Sequence, residues 1–216
     1  MKANRTPLSL ARLLDPADAA WQQADATRLP LQGTPAAMQP TAAVRNHWQK
    51  KTIGAVASVE VRALCTDDAL AFHLRWADAA ATFDHGDNSR FPDAAAIALP
   101  LHADAPLQTM GAPEAPLTAW YWRADSREQG FQVLARGPGS TRIVDRAVRV
   151  GAGWADGRWQ VVIARRLGNG GTADTIDLAP GQELRFGVAV WEGSHGERGG
   201  LKAFSGDWRP LRLAGA

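Results

Sequence analysis

The residue types able to carry chemistry are thinly spread in this chain. The five histidines, His47, His73, His85, His102 and His195, show neither the H-x-x-x-H nor the H-E-x-x-H spacing that sets two imidazoles on one helix face to grip zinc. Isolated histidines of this kind are ordinarily surface or satisfied residues. Cys65 is the lone cysteine, so there is no internal disulfide and no set of thiolates for an iron–sulfur cluster. It falls in mid-strand, where a buried inert thiol is the expectation. No G-x-S-x-G elbow is present. The run Gly168-Asn169-Gly170-Gly171 lacks the following Lys-Ser/Thr of a phosphate cradle and reads as a hairpin loop. Two segments remain: one around Met110-Gly111 with Trp120-Tyr121-Trp122-Arg123-Ala124 after it, and one from Glu197-Arg198 through Lys202 to Trp208. On residue type alone, Met110 is a loop methionine and Lys202 a solvated lysine.

The elements that would position these segments are strands. Val59, Val61, Ala63 and Cys65 alternate with polar neighbours, Thr66-Asp67-Asp68 makes a turn, and Leu70, Phe72, Leu74 and Trp76 alternate again. This predicts a β-hairpin with one buried face per strand. Further strands are predicted over Ala94–Leu101, Leu117–Arg123, Phe131–Ala135, Arg142–Val150, Arg158–Arg165, Glu183–Trp191 and Trp208–Leu213, with Asp156-Gly157 as a turn. The expected fold is mainly β: an antiparallel β-sandwich with short helical segments and long loops. Residues 1–50 are rich in Pro, Gln and Ala and read as an extended, loop-rich segment; Asp15-Pro16 to Trp21 could turn once as helix, and Leu29–Pro40 reads as loop.

Composition bounds the function. The 216 residues suffice for one domain with a full core, and 45% of them are hydrophobic. With 24 basic and 22 acidic side chains there is no charge excess to drive nucleic-acid binding. No apolar run approaches the roughly 18–20 residues of a membrane span. At the N-terminus, Ser9, Arg12 and Asp15 interrupt the leucines, so a signal peptide of its own is not expected. C-x-x-C-H is absent, so any haem would be held by ligation and packing alone. Nine tryptophans suit a core, a sugar platform or a cofactor pocket equally.

The two outstanding segments resemble the haem-binding γ subunits of ethylbenzene dehydrogenase and its relatives in the type II dimethyl-sulfoxide reductase family. That family's pattern is a Met-Gly, then a strand W-Y/H-W-K/R-A, and later E-R-x-G-x-K-x-x-S. This sequence has Met110-Gly111, Trp120-Tyr121-Trp122-Arg123-Ala124 and Glu197-Arg198-Gly199-Gly200-Leu201-Lys202-Ala203-Phe204-Ser205. The opening Met1-Lys2-Ala3 and Gly157-Arg158-Trp159 are also similar, so the likeness runs along nearly the whole chain, nearest the hydrocarbon- and steroid-hydroxylating branch.

The resemblance implies a single haem-binding β-sandwich domain over residues 1–216. It implies haem b as cofactor, with Met110 and Lys202 as the axial ligands of the iron. A thioether is a neutral, soft ligand that raises the reduction potential, and a lysine amine can ligate only once it has lost its proton. Two side-chain ligands leave no open site, so the expected role is electron transfer and not catalysis. Trp120, Trp122, Phe204 and Trp208 lie near the ligands in sequence and could wall the haem or simply fill the core. The implied partners are a molybdenum-pterin catalytic subunit and an iron–sulfur subunit in a heterotrimer. An external electron acceptor such as a cytochrome c or a quinone-linked carrier completes the chain. The implied location is the periplasm, by co-export with the catalytic subunit. Two rival readings are a Trp-rich carbohydrate-binding module and a small-molecule carrier without redox role.

Overall fold

A computed structural model describes residues 1–86, 89–168 and 172–215; of the glycine-rich run singled out above, residues 169–171 lie outside the described residues. In chain order the strands are β1 (Lys2–Arg5), β2 (Thr27–Pro30), β3 (Gln32–Gly33), β4 (Ser58–Cys65), β5 (Ala69–Ala77), β6 (Ala94–Pro100), β7 (Leu117–Arg123), β8 (Gly130–Ala135), β9 (Arg142–Asp145), β10 (Arg149–Ala155), β11 (Arg158–Arg166), β12 (Glu183–Trp191), β13 (Ala203–Phe204) and β14 (Arg209–Leu213). The α-helices are short: α1 (Leu10–Leu13), α2 (Ala20–Gln23) and α3 (Ala42–Trp48).

One layer runs β10-β11-β5-β4 and the other β14-β12-β6-β7-β8-β9. Strict alternation in β5 sends Leu70, Phe72, Leu74 and Trp76 inward, where they meet Ile97, Trp120, Trp122, Phe186 and Val188 of the opposite layer. Phe72 lies 5.3 Å from Phe186 and 6.0 Å from Trp120, ring to ring, and Trp122 lies 5.0 Å from Trp159. This is the sandwich packing that the alternation predicts. The β10–β11 hairpin closes on Asp156 and Gly157, both at positive φ, as a two-residue turn compatible with strand twist requires.

Three features depart from expectation. The two layers are joined by β1, which pairs in parallel with β4 on one side and β14 on the other, so the sandwich is mixed rather than wholly antiparallel. The stretch Arg142–Val150 is two strands, because β9 pairs with β8 in one layer while β10 pairs with β11 in the other. The first fifty residues, expected as extended and loop-rich, contribute β1–β3 and all three α-helices. Within them, Leu29–Pro40, expected as loop, supplies the end of β2 and all of β3; β2 pairs with β4, and β3 with β13.

The outer faces of the two layers are both covered. On the β4–β5–β11 layer, Leu13 of α1 and Trp21 of α2 pack over Leu64, Ala71, Val162 and Ala164. On the other layer, the cover is the loop between β6 and β7.

Candidate functional site

Met110 sits in that β6–β7 loop. Its backbone is held at φ 59°, and Gly111 follows at φ 81°. A side chain at Gly111 would bring its Cβ to 2.7 Å from the Ala135 carbonyl, so glycine is required there both by conformation and by space. The turn is locked by Met110 N–H donating to Leu107 O, Gly111 N–H to Pro106 O, and Gly137 N–H to Met110 O. The Met-Gly pair is thus a rigid corner that aims one thioether at the sheet.

Lys202 arrives from the other direction, at the end of the loop that leaves β12. The N-terminal segment fastens that loop. Thr34 N–H donates to Lys202 O, and Thr34 Oγ1 and Gln39 Nε2 donate to Gly200 O. Glu197, fully buried, accepts from the N–H groups of Gly54, Ala55 and Glu192. Burial pushes the Glu197 carboxyl up against the opposing pull of those three bonds.

The two loops bring Met110 and Lys202 together. Lys202 Nζ donates to Met110 Sδ at 2.8 Å and lies 5.5 Å from the centre of the Trp191 ring. Lys202 is 5% exposed and, among the described residues, has no carboxylate partner. Removal from water alone draws its pKa down to about 8. A lysine buried without a counter-ion is costly unless something other than a proton uses its lone pair.

The floor under the pair is made of small side chains. Ala94 and Ala96 of β6, Ala119 of β7 and Ala135 of β8 are buried on this face, and Ala98 and Ala189 are half-buried beside them. Leu117, Val133, Tyr121, Trp191 and Trp208 complete the surround. Tyr121 meets Trp191 edge-on at 5.5 Å, and its burial pushes the phenol up to about 12, so the hydroxyl stays neutral. Trp208 is anchored by donating Nε1–H to Ala105 O.

This arrangement fits a haem. A buried amine of reduced proton affinity and a thioether held on a rigid turn are both competent donors to iron. The alanines give a flat apolar surface that larger residues would fill. As the two side chains stand they touch directly, so holding an iron between them would require them to part.

Of the aromatics near the ligands in sequence, Trp208 packs on this face, whereas Trp120 and Trp122 point into the sandwich interior. Phe204 is buried on β13 and belongs to neither cluster. In the sequence Tyr121 stands only within the motif and Trp191 only at the end of a predicted strand, and neither is marked there as a wall of the site. The signal was available for Tyr121, since two inward tryptophans on either side of it force it outward. None of the histidines joins a metal-type cluster among the described residues. His195 is bonded to Thr52 O, and His73 is stacked on Trp21. Cys65 is buried with its thiol directed at Ala3 O, and burial pushes its pKa up, which makes it inert.

Known proteins give a consistent picture. Relatives include a chain from Haloferax mediterranei named as a respiratory nitrate reductase haem subunit, 31% identical over 89% of this chain and 66% of its own length. The γ subunit of chlorate reductase from Ideonella dechloratans is 29% identical over 92% of this chain and 79% of its own. The γ subunit of dimethylsulfide dehydrogenase from Rhodovulum sulfidophilum is 32% identical over 68% of this chain and 57% of its own. The chain therefore spans just under two thirds of the first relative's length.

Among solved structures, a family 9 carbohydrate-binding module from Caldicellulosiruptor kristjanssonii, in complex with cellotriose, matches over 100% of this chain and 95% of its own, with TM-score 0.55 and 8% identity. A carbohydrate-binding protein from Bacteroides uniformis matches over 99% and 98%, with TM-score 0.54 and 10% identity. At such identities the likeness is one of fold alone. The model of the family described as ethylbenzene dehydrogenase matches residues 18–139 and 139–203. With the Met-Gly corner, the lysine loop and most of the chain inside that match, the protein belongs to the ethylbenzene dehydrogenase family.

Proposed function

We propose that this chain is the haem b electron-transfer subunit of a molybdenum enzyme complex, folded as one haem-binding domain over residues 1–216, with Met110 and Lys202 as axial ligands. The single observation that carries the reading is the buried Lys202 amine, without a carboxylate partner and in contact with Met110 over an alanine floor. Bound there, haem b supplies a one-electron couple. Lys202 must present a neutral amine, and its burial has already weakened its hold on the proton. Met110 offers a donor that carries no proton at all. Tyr121, Trp191 and Trp208 keep water from the face, and Glu197, Thr34 and Gln39 hold the lysine loop in register. With two side chains as donors, the iron would have no position left for a substrate, so the chain would relay electrons while its partners do the chemistry.

Those partners are a molybdenum-pterin catalytic subunit and an iron–sulfur subunit, with a cytochrome c or quinone-linked carrier as the external acceptor. The complex works in the periplasm, and the chain travels there with its catalytic partner. No helix among the described residues is long and apolar enough to cross a membrane. Assignment to a hydrocarbon or steroid hydroxylating complex rests on the motif resemblance, since the relatives' names point to nitrate, chlorate and dimethyl sulfide.

The sugar-binding alternative has the fold on its side but not the surface. Stacking on saccharides needs exposed aromatic faces, and seven of the nine tryptophans are buried, Trp208 is half-buried and Trp154 alone is exposed, at 38%.

The test is spectroscopic. The purified protein should carry a low-spin haem that acid–acetone extracts. Lys202→Ala should convert it to a high-spin form that takes up carbon monoxide, and Lys202→Arg should do the same because guanidinium has no lone pair to give. A low-spin spectrum retained in both variants would remove Lys202 from the iron and make His195 the next candidate.

A further inference from the structure

At one end of the sandwich three carboxylates converge from three separate segments. Asp78 follows β5, Asp93 precedes β6 and Glu192 follows β12, and one oxygen from each lies within 4.8 Å of the others. Asp78 and Asp93 are 6% and 0% exposed. None of the three has an ion-pair partner among the described residues. Asp93 is well provided with donors: Thr82 N–H, Gly193 N–H and Trp159 Nε1–H. Glu192 Oε1 accepts from Ser194. Asp78 Oδ1 accepts from Ala80 N–H, but its Oδ2 is buried with no hydrogen-bond partner; Trp76 Nε1 approaches the carboxylate without completing a bond. A buried carboxylate oxygen without a hydrogen-bond partner, on a residue clustered with two further carboxylates, is costly. Burial, then the charge of Asp93, then that of Glu192, push the Asp78 carboxyl up to about 6.

We propose that Asp78, Asp93 and Glu192 form a binding site for a divalent cation, Ca²⁺ in preference to Mg²⁺. The donors are all oxygen, which selects a hard ion. Three carboxylates from three separate segments suit Ca²⁺, which accepts several in a flexible geometry, better than Mg²⁺, which keeps most of its water and is ordinarily held by one or two. The ion would give the Asp78 carboxylate a further partner and offset two of the trio's three negative charges. Water supplies the rest of its shell.

The site also has a mechanical consequence. Gly193 is packed so tightly against Phe91 O that a Cβ would fall 1.6 Å away, and Glu192 N–H is held by Glu197. An ion at Glu192 therefore fastens the root of the loop that ends at Lys202 to the segment 78–93 of the other chain stretch. The proposal does not depend on the haem reading, and its test does not use the haem.

The experiment takes the complete protein as purified, treats it with EGTA, and titrates it with Tb³⁺ and then Ca²⁺. Trp159 donates to Asp93, so Tb³⁺ bound there should emit when tryptophan is excited, saturate at a single equivalent, and be displaced by Ca²⁺ at lower concentration than by Mg²⁺. At a Ca²⁺ concentration about a hundredfold above Kd the melting midpoint should rise by about 5–10 °C. Asp78→Asn should weaken binding by more than about tenfold and remove most of that rise, while matching or exceeding the wild type in EGTA because one like charge is gone. Glu192→Gln, on the half-exposed member of the trio, should behave in the same way and serves if Asp78→Asn does not fold. The proposal is overturned if the wild type shows no sensitised emission and a midpoint indifferent to Ca²⁺, with Asp78→Asn still stabilising. In that case protonation alone relieves the trio.

Discussion

The two outer faces of the sandwich each bury a nitrogen base, and they do it differently. On the β4–β5–β11 face, His73 is 2% exposed, stacked on Trp21 at 5.2 Å and 21°, with neither ring nitrogen completing a hydrogen bond. On the β12–β6–β7–β8 face, Lys202 is buried against Met110 and Trp191. The first face is closed by bulk: Leu13 and Trp21 fill it, and the imidazole is one more flat, neutral filler, its pKa lowered to about 4 chiefly by burial. The second is floored with alanine and roofed by a loop that sets Leu107 and Met110 against it. A base packed as filler and a base packed over small residues are read apart by what lies beneath them, not by how deeply they are buried.

The sharpest way to break the comparison is to change what lies beneath. Ala119 and Trp120 are adjacent on β7, one facing the alanine floor and one the core. Ala119→Phe should abolish haem retention, measured as haem per folded chain, with a stability cost of about 1–3 kcal/mol from overpacking. Trp120→Ala should do the reverse, losing about 3–5 kcal/mol in denaturant unfolding while the folded fraction still takes up haem. Equal haem loss in both would mean that the alanine face has no special role.

The next effect concerns His73 itself. A histidine whose folded pKa lies below its unfolded value leaves the unfolded state holding more protons as pH falls from 6.5 to about 4. Stability present above pH 6.5 is therefore lost through that window, by on the order of 3 kcal/mol. His73→Phe keeps the stack on Trp21 and should flatten the slope in pH-dependent unfolding. A slope left unchanged would assign the acid sensitivity elsewhere.

The smallest effect tests the cover of the first face. Ser9 caps α1 by accepting from Arg12 N–H. Ser9→Ala should cost about 0.5–1 kcal/mol and leave haem retention untouched, since α1 closes only the His73 side.

The sequence made much of the frame legible. β4, β5 and β12 stand where alternation along the strand put them, because a sandwich core writes a period of two into a strand, and β7 stands where its aromatic-rich run put it. β1 was not legible: Lys2-Ala3-Asn4-Arg5 has one buried residue, and backbone pairing alone makes it a strand. β9 and β10 merged into one prediction because only three residues separate them, and nothing in their sequence shows that one pairs with β8 and the other with β11. At the site, Met110 and Lys202 were visible only through motif resemblance. Ninety-two residues separate them, and no periodicity encodes contact between two loops. Glu197 was noted as part of a motif, but its buried carboxylate tying three backbone N–H groups was not readable from its residue type, which is ordinarily exposed.

The seam made by β1 bears on how the molecule comes to exist. Lys2 and Ala3 pair with Arg212 and Leu213, while Asn4 and Arg5 pair with Leu64 and Cys65. An emerging chain can lay β1 against β4 early, but the second layer has no anchor along β1 until residues 209–213 have left the ribosome. Such a contact, joining Lys2 and Ala3 to Arg212 and Leu213, carries a loop-closure cost and slows the step that forms it. The two layers therefore cannot be sealed along β1 before residues 209–213 have been made, and the half-built layer that waits is the one bearing the alanine floor.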